Sequence, residues 1–524
     1  LQAIGLDLGT SGIRGQLLDL EKGKVIRTCL TTRNPLPGAN VMDHLSFAIE
    51  NGQELAHDIL VACVGQVVEA LAPTRLERMA VCGNPIQLSL FEGIEVRDLA
   101  YAGESMLRSQ NIQPPSREGK VIRTDDVGLG FSADLIIPPA VRHEIGADAL
   151  AMMLKSGFLD DDRCMVTDYG TNAEMALKVG DDIYTGSAAA GPALEGQQIS
   201  AGMLASPGAV SDLERCPEGW RMKVLDDRLD LQEGGMINLR SKVLRPGAAK
   251  AKGITGTGVI ALVYAGLADE RIVLPNIIGG DIVLSRGIRF TRQDLMEAGK
   301  AIGAIRAGHR TLMAEAGIGP EDIGNMYMAG ASGTYVDALK AQAVGLVPTA
   351  RRVVQIGNTS LELAKDLALD PHLVDELNDI RKAMVAHHIM FASSRTFSDL
   401  YVLELAYWTE GMPLERYNHG LASLGMSTSG PQNVTTTVER WRQKDIWEVG
   451  ESLTIIDPGV KLTGTWECSY CHECALACPE NALALDGRTF VVDAGRCLGT
   501  ACRRCEEACP QKVFDYSALT MGGD

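Results

Sequence analysis

The chain lacks any surplus of positive charge. Lys and Arg number 49 against 67 Asp and Glu, for a formal net charge of −18. That excludes the basic face which nucleic acid or an anionic membrane surface calls for. A long apolar run is missing too: the longest weakly polar stretch, Ile254 to Ala268, is cut by glycines and stops at Asp269, whereas a spanning helix needs ~20 residues. No charged start, apolar core and cleavage site of the secretory kind opens the sequence. The expectation is a cytoplasmic protein with no nucleic-acid partner and no membrane insertion. Cysteine is nearly absent from most of the chain. Of 13 cysteines, eight fall between Cys468 and Cys509, leaving Cys29, Cys63, Cys82, Cys164 and Cys216 scattered ahead of them. Those five have apolar neighbours, as in Val61-Ala62-Cys63-Val64, and read as buried small hydrophobes. At 524 residues the chain is too long for one core and is expected to form three or four domains.

The clustered cysteines form two runs: Cys468-x2-Cys471-x2-Cys474-x3-Cys478-Pro479 and Cys497-x4-Cys502-x2-Cys505-x3-Cys509-Pro510. In a cytoplasmic chain such spacing reads as metal ligation rather than disulfides. A cubane needs one thiolate per iron; a tight loop supplies three, and the fourth arrives from elsewhere. The pattern resembles two-cluster ferredoxins, in which the last cysteine of each run serves the other cluster. That resemblance assigns Cys468, Cys471, Cys474 and Cys509 to one [4Fe–4S] cluster and Cys497, Cys502, Cys505 and Cys478 to the other. A structural zinc site is the competing reading, disfavoured by two runs that both end in Cys-Pro. The second run is wider, and the added Gly499 and Thr500 are expected to enlarge a loop and change that cluster's exposure to solvent.

Two further elements share the pattern Asp-x-Gly-Thr: Asp7-Leu8-Gly9-Thr10 and Asp168-Tyr169-Gly170-Thr171. Each ends a short apolar strand and starts a three-strand unit, predicted over 3–7, 13–18 and 25–31 in the first case and 164–168, 173–179 and 182–186 in the second. Such a glycine lets backbone N–H groups approach phosphate oxygens, and a strand-end aspartate can hold Mg²⁺ through water. Apolar spacing predicts a helix over 53–71. A third Gly-rich turn, Gly330-Ala331-Ser332-Gly333-Thr334, follows a predicted strand over 325–329, and Gly253 to Gly258 supplies a fourth glycine cluster. Helix starts are expected at Thr291-x-x-Asp294 and Thr359-x-x-Glu362.

The order of these turns resembles the acetate and sugar kinase, Hsp70 and actin superfamily. The segments Val166 to Glu174, Ala190 to Gly196, Gly38 to His44 and Ile356 to Leu361 narrow the likeness. They resemble the ATPase domain of reductive activators of corrinoid-dependent methyltransferases. Having the cysteine runs at the back makes the chain similar to the activases that serve methylamine methyltransferases in methanogens. Ala173, where relatives often carry Gly, and the widened second cysteine run depart from the pattern.

The resemblance implies an α/β ATPase of two ribonuclease-H-like lobes followed by an α+β two-cluster ferredoxin domain. The expected boundaries are 1–160, 161–430, a linker or edge segment over 431–465, and 466–524. It implies ATP and Mg²⁺ held by Asp7, Gly9, Thr10, Ser11, Asp168, Gly170, Thr171 and Asn172, with Asp7 and Asp168 catalytic and Gly330 and Gly333 near the nucleoside. The implied activity is ATP-dependent reduction of Co(II) to Co(I) on a corrinoid protein, fed by a low-potential electron donor in an anaerobic organism. Alternatives are an activator of another low-potential metalloenzyme, and a ferredoxin-type carrier whose ATPase-like lobes only dock; a small-molecule kinase leaves the cysteines unexplained. Glu174 and Glu195 are candidate water-positioning groups and Lys300 a candidate nucleotide contact. His309 lies on the same predicted helix as Lys300. His387 and His388, expected in a helix over 371–392, project 100° apart there and do not suggest a shared metal site.

Overall fold

A computed structural model describes residues 1–100, 104–141, 145–170, 172–196, 198–427, 435–442, 446 and 448–522. The chain divides into two compact units: Leu1–Asp148 with Ser360–Ala383 and Val449–Asp524, and Ala149–Thr359 with Met384–Glu448.

In the first unit, strands β1 (Gln2–Leu8), β2 (Ile13–Asp19) and β3 (Lys24–Thr31) form an antiparallel ribbon. Helices α1 (Val41–Asn51) and α2 (Gln53–Leu71) lead to β4 (Leu76–Gly83), which returns parallel to β1. After α3 (Pro85–Glu92), β5 (Lys120–Arg123) and β6 (Asp134–Ile137) complete the far edge. The order is Ser452–Ile456, β3, β2, β1, β4, β6, β5. Central β1 is buried on both faces after its first residue, which is why it reads as an unbroken apolar run. Gly5 in that strand admits the backbone of Ala364 and Lys365: a Cβ there would lie 3.0 Å from the Lys365 nitrogen. Helix α2 buries Ile59, Leu60, Cys63, Val67 and Leu71, the stripe its spacing predicts.

The second unit repeats the plan. An antiparallel ribbon of β7 (Cys164–Asp168), β8 (Asn172–Val179) and β9 (Asp182–Ala189) is extended beside β7 by parallel strands Asn325–Ala329 and Arg352–Gly357. A five-stranded sheet lies between Ala209 and Arg245 in sequence, with Gly253–Ile254 at its edge. Helix Arg292–Glu315 begins with a capping box in which Thr291 and Asp294 bond each other's backbone N–H groups, worth ~1 kcal/mol. Both Asp-x-Gly-Thr segments therefore occupy the same place in two like ribbons, at the end of the innermost strand.

The helix expected over 371–392 stops early. It spans Leu373–Ala383, and Val385–His388 is a strand pairing in parallel with β9. The free edge of β9 supplies hydrogen bonds that local propensity does not anticipate. His387 bonds Asp182 at 2.8 Å while His388 lies 3.2 Å from the Thr185 hydroxyl, so the pair points to opposite faces of a strand. Thr437–Arg440 and Ser452–Ile456 are edge strands of the second and first unit's sheets. Of the scattered cysteines, Cys29, Cys63, Cys82 and Cys164 are buried and Cys216 is half-buried. Burial pushes the Cys63 thiol up to about 12.

The cysteine-rich segment belongs to the first unit. Its sheet runs Leu483–Asp486, Thr489–Asp493, Lys461–Thr465, Thr520–Met521, and two short helices, Glu473–Leu476 and Arg504–Ala508, carry cysteines. Trp466, Phe490 and Phe514 make its aromatic core, with ring centroids 4.9 to 5.3 Å apart. Among the described residues no helix is long and apolar enough to cross a membrane.

Candidate functional site

In the first unit Asp7 is the penultimate residue of β1, buried and 3.3 Å from the Arg14 guanidinium. The turn after it is tight: a Cβ on Gly9 would lie 2.8 Å from the Gly12 carbonyl. Its outer atoms are held from behind. The Asn34 amide donates to the Gly9 carbonyl at 2.9 Å, and the Asn84 amide to the Thr10 hydroxyl at 3.2 Å. Ser11 is buried beside them. Gln87 bonds Asn34 at 3.3 Å and His44 Nδ1 at 2.7 Å. Burial lowers the His44 pKa to about 4, a Gly38 hydrogen bond opposing the drop, so the ring is neutral and its Nδ1 accepts. Neither Asn34, Gln87 nor His44 stands out in the sequence as a member of this support; only the Gly38 to His44 motif touches it.

In the second unit Asp168 ends β7 and Asn172 opens β8, buried; Thr171 lies outside the described residues. The third Gly-rich turn meets this one. The Ala329 carbonyl accepts from the Tyr169 N–H at 3.2 Å, and at Gly330 (φ 78°) a Cβ would overlap Asp168 Oδ1. At Gly333 a Cβ would stand 3.0 Å from the Met328 carbonyl carbon, so the short helix lies close on its strand. The Ser332 hydroxyl donates to the Leu194 carbonyl at 2.7 Å, and Gly256 leaves no room for a side chain against that same carbonyl. Asp168 and the Leu194 turn are thus each met by the short Gly330–Tyr335 helix, with Gly170 and Asn172 following Asp168 in sequence. Glu174 accepts from Ser187 at 3.2 Å; the Glu195 side chain is outside the described residues. Lys300 pairs with Glu297 at 2.9 Å. His309 lies beneath the site, 2.8 Å from the Thr167 hydroxyl, its pKa pushed down to about 3 by burial.

The cysteines fall into two groups. Cys468, Cys471, Cys474 and Cys509 line one cavity, walled by Phe490 and Phe514. Burial raises the Cys474 thiol, with Cys509 and Cys471 adding to it as neighbours. Burial works against the Cys509 thiolate, yet the backbone N–H groups of Phe514, Val513, Gln511 and Lys512 bring that thiol below its ordinary value. In the other group, burial with Cys478 and Cys502 close by raises Cys497, and burial with Cys497 close by pushes Cys505 up to about 12. Backbone N–H groups also point at sulfur from Tyr470 to Cys468 at 3.3 Å, Ala482 to Cys478 at 3.2 Å and Gly499 to Cys497 at 3.4 Å. Left-handed residues Tyr470, His472 and Arg503 bend the loops that do this.

Among the described residues no three Cys, His, Asp or Glu side chains close on a point that fits a single ion. Four thiols around one cavity, with amides aimed at their sulfurs, fit a polynuclear iron–sulfur body, because such clusters take one thiolate per iron and are tuned by N–H···S bonds. The widened loop packs against the segment that leads into α1. Gly499 is buried, a Cβ on it would lie 3.2 Å from the Pro37 carbonyl, and the Gly38 N–H donates to the Cys497 carbonyl at 2.8 Å.

Two ribbon-based α/β lobes carrying paired Asp-x-Gly-Thr turns define the class: the acetate and sugar kinase, Hsp70 and actin superfamily, also called ASKHA. Residues 162–418 match the family described as the C-terminal domain of RACo, the ASKHA domain, and residues 2–161 match the RACo middle region. The chain is 46% identical over 522 residues to the [Co(II) methylated amine-specific corrinoid protein] reductase of Methanosarcina barkeri, covering 96% of each chain. It is 23% identical to the corrinoid activation enzyme RamQ of Eubacterium limosum, over 78% of this chain and 70% of that one. A solved reductive activator for corrinoid, iron–sulfur protein superposes with a TM-score of 0.64 at 23% identity, over 77% of this chain. This chain spans 66% of that solved protein, a little under two thirds. The protein belongs to the RACo family.

Proposed function

We propose that this protein is an ATP-dependent oxidoreductase that returns the cobalt of a methylated-amine-specific corrinoid protein from Co(II) to Co(I), one electron at a time. The observation that carries this reading is the 46% identity, end to end, with a reductase named for that Co(II) substrate. Two groups of four cysteines support the electron-handling half, and two matching carboxylate-bearing turns support the nucleotide half. When bound, two [4Fe–4S] clusters supply single-electron transfer at low potential. Cys468, Cys471, Cys474 and Cys509 hold one, and Cys497, Cys502, Cys505 and Cys478 the other.

Each unit's strand-end carboxylate, Asp7 in the first and Asp168 in the second, is suited to hold hydrated Mg²⁺ through water. The N–H groups and hydroxyls of Gly9, Thr10, Ser11, Gly170, Thr171 and Asn172 receive phosphate oxygens. Gly330 and Gly333 keep the nucleoside turn low enough to lie beside Asp168. ATP binding favours one of two states of the activator, the one that changes the docked cobalt's axial ligation and makes it easier to reduce. A low-potential donor protein replaces the electron.

The test is anaerobic visible spectroscopy of the methylamine corrinoid protein mixed with this protein, a chemical reductant and Mg-ATP. Co(I) is expected only with all components present. Co(I) formed equally well without nucleotide overturns the ATP half of the proposal, and no Co(I) under any condition overturns the substrate.

A further inference from the structure

The second group of cysteines has a partner that the first group does not share. The Tyr516 hydroxyl lies 3.2 Å from Cys497 Sγ. Tyr516 is buried, its ring meets Phe47 of α1 edge-on at 6.4 Å, and its backbone carbonyl accepts from the Asn51 amide at 2.9 Å. The Tyr516 N–H donates to Glu506 at 2.6 Å, and Arg503, two residues before Cys505, reaches Glu50 of α1 at 2.6 Å. A phenol fixed from both ends by α1 and the Arg504–Ala508 helix has little freedom to leave the sulfur. With a thiolate at Cys497 the sulfur carries no proton, so the tyrosine O–H is the donor.

We propose that Tyr516 is a positioning residue that raises the reduction potential of the cluster held by Cys497, Cys502, Cys505 and Cys478. This rests on the reading of the eight cysteines as ligands of two clusters. A hydrogen bond to a cluster sulfur favours the more negative, reduced state. The bond is made inside a buried contact, where it is not traded for one to water. The four-cysteine cavity on the other side is lined by Leu485, Phe490, Val513 and Phe514 together with Ser469, His472 and Gln511, and the Tyr470 hydroxyl nearby is committed to the Trp466 carbonyl at 3.3 Å. The Tyr516 hydroxyl thus adds a donor to the cluster beside α1, the helix whose loop leads back to the Gly9 turn through His44, Gln87 and Asn34.

The experiment is an anaerobic redox titration of the full reconstituted chain, followed by electron paramagnetic resonance, with iron counted in the same samples. Wild type should hold about eight irons; a count near zero would defeat the cluster reading itself, independently of Tyr516. In Tyr516→Phe the iron count should stay the same. One potential should fall, corresponding to about a tenfold smaller reduced fraction at fixed potential, or 59 mV for one electron, and the other should not move. Two unmoved potentials at full iron content overturn the proposal. Should the variant lose iron, wild-type chain grown with fluorotyrosine, a stronger O–H donor, should show the same cluster shifted upward; no shift there overturns it equally.

Discussion

Gly330 stands against the carboxylate of Asp168 so closely that any side chain at that position would overlap Oδ1. The contact joins a turn read as phosphate-binding to one read as nucleoside-binding, within one unit. Its φ of 78° adds a second reason for glycine, since L side chains pay ~1 kcal/mol or more there. Gly330→Ala should therefore displace Asp168 rather than merely crowd it. The expected outcome is a loss of Mg-ATP turnover of at least ~10²-fold, on the scale of removing one electrostatic group, measured as phosphate release. Activity within twofold of wild type would mean that Asp168 does not position the phosphates.

Asp168→Ala removes the carboxylate directly. A drop of about 10²–10⁴-fold in ATP turnover is expected, with iron content unchanged. The two properties separate because Asp168 lies in the second unit and every clustered cysteine in the first, and units with their own cores fail independently. Loss of iron alongside turnover would contradict that separation.

Cys478→Ala tests the crossed assignment. Cys478 ends the first run in sequence, yet its influence is felt by Cys497. Iron should fall from about eight to about four per chain. The surviving spectrum should match that of a Cys497→Ala variant, not that of Cys468→Ala.

His44 predicts an acid-sensitive first unit. Burial lowers its pKa from 6.5 to about 4. The unfolded chain then binds a proton that the folded chain refuses, and stability rises with pH across that window. The contribution is complete above pH 6.5 and is lost as pH falls toward 4, amounting to about 3 kcal/mol at ~1.4 kcal/mol per pH unit. Denaturant midpoints followed through a first-unit probe should drop between pH 6.5 and 4, and His44→Gln should flatten that slope. An equal slope in the variant would place the sensitivity elsewhere.

The ribbons, α2 and the strand over 325–329 were legible because their apolar spacing and turn residues are local signals. The cysteine spacing carried chemistry for the same reason. What sequence could not disclose depends on meetings between distant segments. Asn34, Gln87 and His44 look like ordinary loop and helix residues until the fold stacks them behind Gly9. Tyr516 follows the last cysteine by seven positions and gains meaning only from Cys497 Sγ. The strand at Val385–His388 took its form from the vacant edge of β9, against its own helical surroundings. The widened second run signalled a larger loop, but its spacing alone does not disclose that Gly499 makes a close backbone approach to Pro37.

That approach yields the final prediction. Gly38 and Gly499 meet across the contact through backbone atoms, the Gly38 N–H bonding the Cys497 carbonyl at 2.8 Å. Gly38 has φ 126°, and a Cβ on it would overlap that of Asp43, whose carboxylate accepts from the Ala39 N–H at 2.8 Å at the start of α1. Gly38→Ala should push the loop off Cys497 and loosen the second group of ligands. Gly52 provides the control: its φ of 108° imposes comparable backbone strain, but a Cβ there meets nothing within 4 Å. If the contact matters, Gly38→Ala should lose about half its iron, the remaining cluster being the one that also survives in Cys478→Ala, while Gly52→Ala keeps close to eight. Equal iron in the two variants would show that strain near α1, and not the contact with the Cys497 loop, governs how the module holds its metal.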